Sequence, residues 1–126
     1  MAVALTSRIY LVDDDDSLRI AIRRLLRSAG YAVETFASAR TFLDSVPLHD
    51  TQGILLLDLR MPEMDGFELQ EKLNELHSSL KIIIITADAK EGDRDRALRS
   101  GAVGFLQKPF HDESLLELIE AGIAGS

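Results

Sequence analysis

The chain has 126 residues, 46% hydrophobic and 28% charged, with eight Gly and three Pro, the make-up of one globular domain with a sizeable core and no length for a second. With 14 basic against 21 acidic residues the formal charge is -7 and no basic stripe appears, which argues against direct nucleic-acid binding. Absence of Cys excludes disulfides, Cys-ligated zinc and thiol catalysis, and fits a cytoplasmic protein.

Five short apolar runs alternate with stretches of helical periodicity, the pattern of a parallel-stranded α/β domain. Ile9 to Val12 is apolar throughout, as a strand covered on both faces is, and no secretory h-region lies between Met1 and Val12. Leu18, Ile22, Leu25, Leu26 and Ala29 form an i, i+4, i+7, i+8 stripe, a helix started by a Ser17 or Asp16 cap and ended at Gly30. Tyr31 to Phe36 is the second strand, and Phe42, Leu43 and Val46 mark a short helix ending at Pro47. Ile54 to Leu57 is the third strand, followed by a helix marked by Phe67, Leu69, Leu73 and Leu76. After the fourth strand, Ile82 to Ile85, the helix Asp93 to Ser100 has only Ala97 and Leu98 as apolar anchors, which predicts an element loosely held on the sheet. Val103 to Leu106 and a helix over Asp112 to Ala121 complete five β-α units. No apolar run approaches the roughly 18 residues of a membrane helix, so a membrane-spanning chain is not expected.

In an open parallel sheet, ligands bind beyond the carboxyl ends of the strands. Residues at those positions form a set: Asp13, Asp14, Asp15 and Asp16, then Asp58, Thr86 and Lys108. One Asp could simply cap the first helix, but four exceed what a cap needs. Two carboxylates about 4 Å apart repel by roughly 4 kcal/mol at an effective dielectric of 20, so Asp58 beside this run would be relieved by a divalent cation. Oxygen donors with retained waters point to Mg2+. An EF-hand calcium loop is excluded, because counting from Asp13 its sixth position is Leu18 and its twelfth Arg24.

Asp58 alone could be a strand-end carboxylate starting a turn. Beside a metal it is better explained as a nucleophile that attacks phosphorus, with Lys108 and the Thr86 hydroxyl neutralising the transferring oxygens. Thr86 and Lys108 taken singly are an ordinary strand residue and a surface lysine; the Lys108-Pro109 pair is more telling, because Pro fixes the turn that aims the lysine and is compatible with a cis bond. Phe105 is a core aromatic whose place, three residues before Lys108, permits a second role as a mobile ring. His49, His77 and His111 are scattered and are not expected to bind metal.

Val12-Asp13-Asp14, Asp58-Leu-Arg-Met-Pro-Glu-Met-Asp-Gly66, Ile85-Thr86-Ala87 and Lys108-Pro109-Phe110 together resemble the receiver (CheY-like) domain of two-component response regulators, over about Arg8 to Ala121. The resemblance implies a doubly wound, flavodoxin-like five-stranded parallel sheet of order 2-1-3-4-5 flanked by five helices. It implies that Asp58 takes a phosphoryl group from a phosphohistidine of a sensor histidine kinase or phosphotransfer protein, with Mg2+ required. Asp14, Asp58 and the Arg60 backbone carbonyl would then hold the metal, and Asp13 would act mainly through water. Thr86 and Lys108 would contact the phosphoryl oxygens. Phosphorylation would move Thr86 and turn Phe105 inward, switching the face of the fourth helix, fifth strand and fifth helix for homodimerisation or output. In this family the side chains two residues past the motif positions, here Arg60 and Asp88, control access of hydrolytic water.

Leu59-Arg-Met-Pro62 and Ala102 to Phe110 look most like FixJ-type transcriptional regulators, which implies a DNA-binding domain beyond Ser126. The chain itself, 1–126, reads as a single receiver without an output domain and as a phosphoacceptor rather than a turnover enzyme. Two alternatives are weighed against it. A pseudo-receiver acting only as a protein-interaction module would not keep Asp13, Asp14, Asp58, Thr86 and Lys108 together, and a haloacid-dehalogenase-type phosphatase needs a second Asp where Arg60 stands.

Overall fold

The computed structural model describes residues 8–49 and 51–125, and in them the apolar runs become strands β1 (Arg8–Val12), β2 (Ala32–Phe36), β3 (Ile54–Asp58), β4 (Lys81–Thr86) and β5 (Gly104–Gln107). Helices α1 (Asp16–Ser28), α2 (Ala39–Ser45), α3 (Gly66–Glu75), α4 (Asp93–Arg99) and α5 (Asp112–Ala124) alternate with them. Two expectations reach beyond the described residues, the absence of a leader at Met1 and the boundary at Ser126. All neighbouring strands are parallel, in the order β2-β1-β3-β4-β5 expected of the doubly wound sheet.

Successive strand residues point to opposite faces, and here both faces are covered. Tyr10, Val12, Leu55, Leu57, Ile82 and Ile84 pack with Phe42, Phe67, Leu69 and Ala97 from α2, α3 and α4. Ile9, Leu11, Ile54, Leu56, Ile83 and Ile85 pack with Ile22, Leu26, Leu115 and Ile119 from α1 and α5. That double burial is why β1, β3 and β4 read as unbroken apolar runs. Edge strand β2 alternates instead, exposing Ala32 and Glu34.

Three local expectations are corrected. The α1 cap is Asp15, whose side chain accepts from the Leu18 N–H, and neither Ser17 nor Asp16. Strand β5 starts at Gly104, one residue later than the apolar run, and leaves Val103 exposed. Helix α4 has Ala97 buried but Leu98 exposed, so Leu98 is no anchor. Polar links hold it. Gln70 Nε2 donates to the Ala97 carbonyl at 2.8 Å, Asn74 Nδ2 to the Ser100 carbonyl at 2.9 Å, and the Arg96 guanidinium stacks 3.9 Å from the Phe67 ring centroid.

The turn after β3 folds tightly back on its own strand. The Gly66 N–H donates to the Leu59 carbonyl at 2.9 Å, and a Cβ at Gly66 would lie 2.6 Å from the Asp58 carbonyl oxygen and 2.9 Å from the Leu59 Cα. Only Gly lets the backbones come this close. Asp65 then caps α3, accepting from the Glu68 N–H at 2.9 Å while Glu68 accepts from the Asp65 N–H at 3.0 Å.

Candidate functional site

Register brings the strand-end residues together. Val12 pairs with Leu57 and Asp58 with Ile85, so Asp13, Asp58 and Thr86 leave three adjacent strands at one edge, and Lys108 follows β5 beside them. The Lys108 N–H donates to the Thr86 carbonyl at 2.8 Å, and the Lys108–Pro109 peptide is cis.

Asp13 is fully buried. Its Oδ2 accepts from Lys108 Nζ at 2.7 Å and its Oδ1 from the Asp15 N–H at 2.9 Å. The same Lys108 Nζ stands 3.9 Å from Asp58 Oδ1, so one ammonium bridges two carboxylates. Asp58 is 5% exposed. Burial and then the Asp13 charge push its carboxyl up from 3.8 to about 6, against the Lys108 ammonium and a hydrogen bond from the Arg60 backbone N–H, with Asp14 adding a further upward push.

Asp13, Asp14 and Asp58 each offer a carboxylate oxygen, all within 4.8 Å of one another. Asp14 is exposed, which gives the cluster an open side. A buried acidic cluster with its charge only partly balanced by one lysine fits a hard divalent cation such as Mg2+, for which oxygen donors are the natural set.

Thr86 is buried, and its Oγ1 accepts from the Asp88 N–H at 3.3 Å. Phe105 is half-buried against the α2–α4 side of the core. His49, His77 and His111 are not part of the acidic cluster. Asp15 and Asp16, open at the sequence level, have structural tasks: Asp15 caps α1, and Asp16 pairs with Arg19.

Sequence reasoning passed over Arg19, whose Nη1 donates to the Asp13 carbonyl at 2.7 Å and so fixes the acidic loop. The available signal was its i, i+3 spacing from Asp16. Sequence reasoning gave the Arg60 side chain a place near the hydrolytic water but not its pairing with Asp93 across 33 positions, a contact that no local pattern announces.

An open α/β sheet carrying this acidic, hydroxyl and ammonium edge defines a class, and the chain belongs to the response regulator receiver domain family, which it matches over residues 9–120. It is 42% identical over 117 residues to the response regulator protein TodT of Pseudomonas putida, an alignment covering 93% of this chain and 51% of TodT. To the transcriptional regulatory protein FixJ of Bradyrhizobium diazoefficiens it is 39% identical over 115 residues, 91% of this chain and 56% of FixJ. The crystal structure of FixJ-N superposes with a TM-score of 0.85 at 35% identity, covering 95% of each chain. The chain therefore spans about half the length of these curated relatives.

Proposed function

We propose that the chain, over a core of about 8–121, is a phosphoacceptor receiver whose nucleophile is Asp58. The observation that carries this reading is the Lys108 ammonium set 2.7 Å from Asp13 and 3.9 Å from Asp58, beside the cluster of three acidic oxygen donors. An Asp58 oxygen attacks the phosphorus of a kinase phosphohistidine; the P–O bond forms as the P–N bond breaks, and the imidazole leaves with the electron pair and takes up a proton. Lys108 and Thr86 balance and orient the equatorial oxygens. Asp14, Asp58 and the Arg60 carbonyl, with Asp13 through water, would hold Mg2+, which when bound would supply charge neutralisation. The chain accepts and loses the group on its own carboxylate and does not turn over an external substrate.

The switch acts through Thr86 and Phe105 on the face of α4, β5 and α5, which serves dimerisation and output. The partner upstream is a sensor histidine kinase or phosphotransfer protein. Downstream, the likeness to the transcriptional regulatory protein FixJ supports a transcriptional output domain in the whole protein, and a cytoplasmic location. No helix among the described residues is long and apolar enough to cross a membrane.

Intact mass after incubation with acetyl phosphate tests the reading. A Mg2+-dependent gain of about 80 Da on wild type, absent in Asp58→Asn, is the expected result for a carboxylate nucleophile. No gain on wild type from either acetyl phosphate or a phosphorylated kinase domain would overturn it.

A further inference from the structure

Arg60 touches both the acceptor residue and α4. Its backbone N–H favours the charged form of the Asp58 carboxyl, and its Nη2 lies 2.5 Å from Oδ2 of Asp93, the first residue of α4. The Asp93 side chain is only 11% exposed, and the same oxygen accepts the Lys90 backbone N–H at 2.8 Å. One carboxylate oxygen thus ties together the loop after Asp58, the loop after Thr86 and the start of α4. The buried Arg60 Nε has no hydrogen-bond partner, so the guanidinium still has a donor to offer.

A phosphoryl group on Asp58 would change this balance. It brings a charge of nearly -2 to a residue two positions from Arg60, and a guanidinium pairs with phosphate through two parallel N–H bonds. Asp93 holds Arg60 through one close oxygen and a single negative charge. Lys108, the other nearby cation, is already shared between Asp13 and Asp58, so one ammonium does not balance the added charge.

Building on the phosphoacceptor reading, we propose that the Arg60–Asp93 ion pair is a charge latch that holds α4 in its resting position and opens when a phosphoryl group on Asp58 draws the guanidinium away. Opening frees Asp93 and loosens the loop that follows Thr86. The latch is an electrostatic route to α4, separate from the movement of Thr86 and Phe105.

Hydrogen exchange of the α4 amides tests it, on wild type, Asp93→Asn, Arg60→Gln and the double variant, with and without acetyl phosphate and Mg2+, with intact mass read in parallel. Asp93→Asn keeps an oxygen for the Lys90 N–H and removes only the charge. Without phosphodonor, each single variant should exchange in α4 about tenfold faster than wild type and the double variant scarcely faster still, as partners in one contact do. Labelled wild type should match the unlabelled variants, and labelling Asp93→Asn should add little. Wild-type exchange in unlabelled Asp93→Asn would overturn the latch. So would labelled wild type whose α4 stays as slow as in the resting protein. A wild type that gains no mass from either acetyl phosphate or a phosphorylated kinase domain would overturn the phosphoacceptor reading and the release step with it, while the unlabelled comparison would still decide whether the pair holds α4.

Discussion

Asp58 stores electrostatic cost in the resting protein. Its folded-state carboxyl lies at about 6 against an ordinary 3.8, chiefly because it is buried and secondly because Asp13 is charged beside it. A raised carboxyl binds its proton more tightly folded than unfolded, so its contribution is fully present below 3.8 and is lost as pH rises through about 6. Metal-free Asp58→Asn should accordingly exceed wild type in stability by on the order of 3 kcal/mol at pH 7.5, the gain shrinking towards zero near pH 4. Urea titrations in EDTA across that range read the difference, and a gain that does not vary with pH would refute the assignment. Lys108→Met tests the opposing charge. It leaves the buried Asp13 carboxylate without its cation, which should cost about 3 kcal/mol in EDTA, with cooperative unfolding retained. Saturating Mg2+ should restore most of that loss; an equal cost with and without the ion would mean that Lys108 serves only the fold.

At the scale of elements, the β3–α3 turn fixes where the acceptor strand ends. Gly66→Ala would force a Cβ against the Asp58 carbonyl and the Leu59 Cα, both backbone atoms that cannot swing aside. The expected loss is about 3 kcal/mol, at the upper end for overpacking, against about 1 kcal/mol for Asp65→Ala, which removes only the α3 cap. Chemical denaturation of the two variants side by side checks the ranking. The elements themselves were legible because both-face burial writes β1, β3 and β4 as continuous apolar runs, and their last residues point to the site. What holds α4 was not legible. Gln70, Asn74, Arg96 and the Arg60–Asp93 pair act through contacts 26 to 33 positions apart or through stacking on Phe67, and side-chain pairing at that separation leaves no periodic trace. The α1 cap was misplaced for a related reason: in a run of four Asp, backbone conformation alone decides which one caps, and Asp15 has the extended geometry.

For the whole molecule, a cation bound at the acidic edge would make folding and cation binding one equilibrium. The chain carries a net charge of -7, and Asp13, Asp14 and Asp58 concentrate part of it on the open side of the sheet. A cation that binds only the folded arrangement stabilises by mass action, about 2.7 kcal/mol when its concentration is 100 times Kd. A domain of this size moves its Tm by about 4 °C per kcal/mol, so saturating Mg2+ should raise it by about 10 °C. Screening of the general negative charge would raise Tm too, and NaCl at matched ionic strength separates the two. Asp13→Asn should cut the Mg2+-specific part sharply while keeping the NaCl response, since it alters the donor set and leaves the remaining surface charge in place. Scanning calorimetry of wild type and Asp13→Asn in EDTA, Mg2+ and matched NaCl reads all of these. A wild-type shift no larger in Mg2+ than in NaCl would mean that the cluster, although built of oxygen donors within 4.8 Å, does not select a divalent ion.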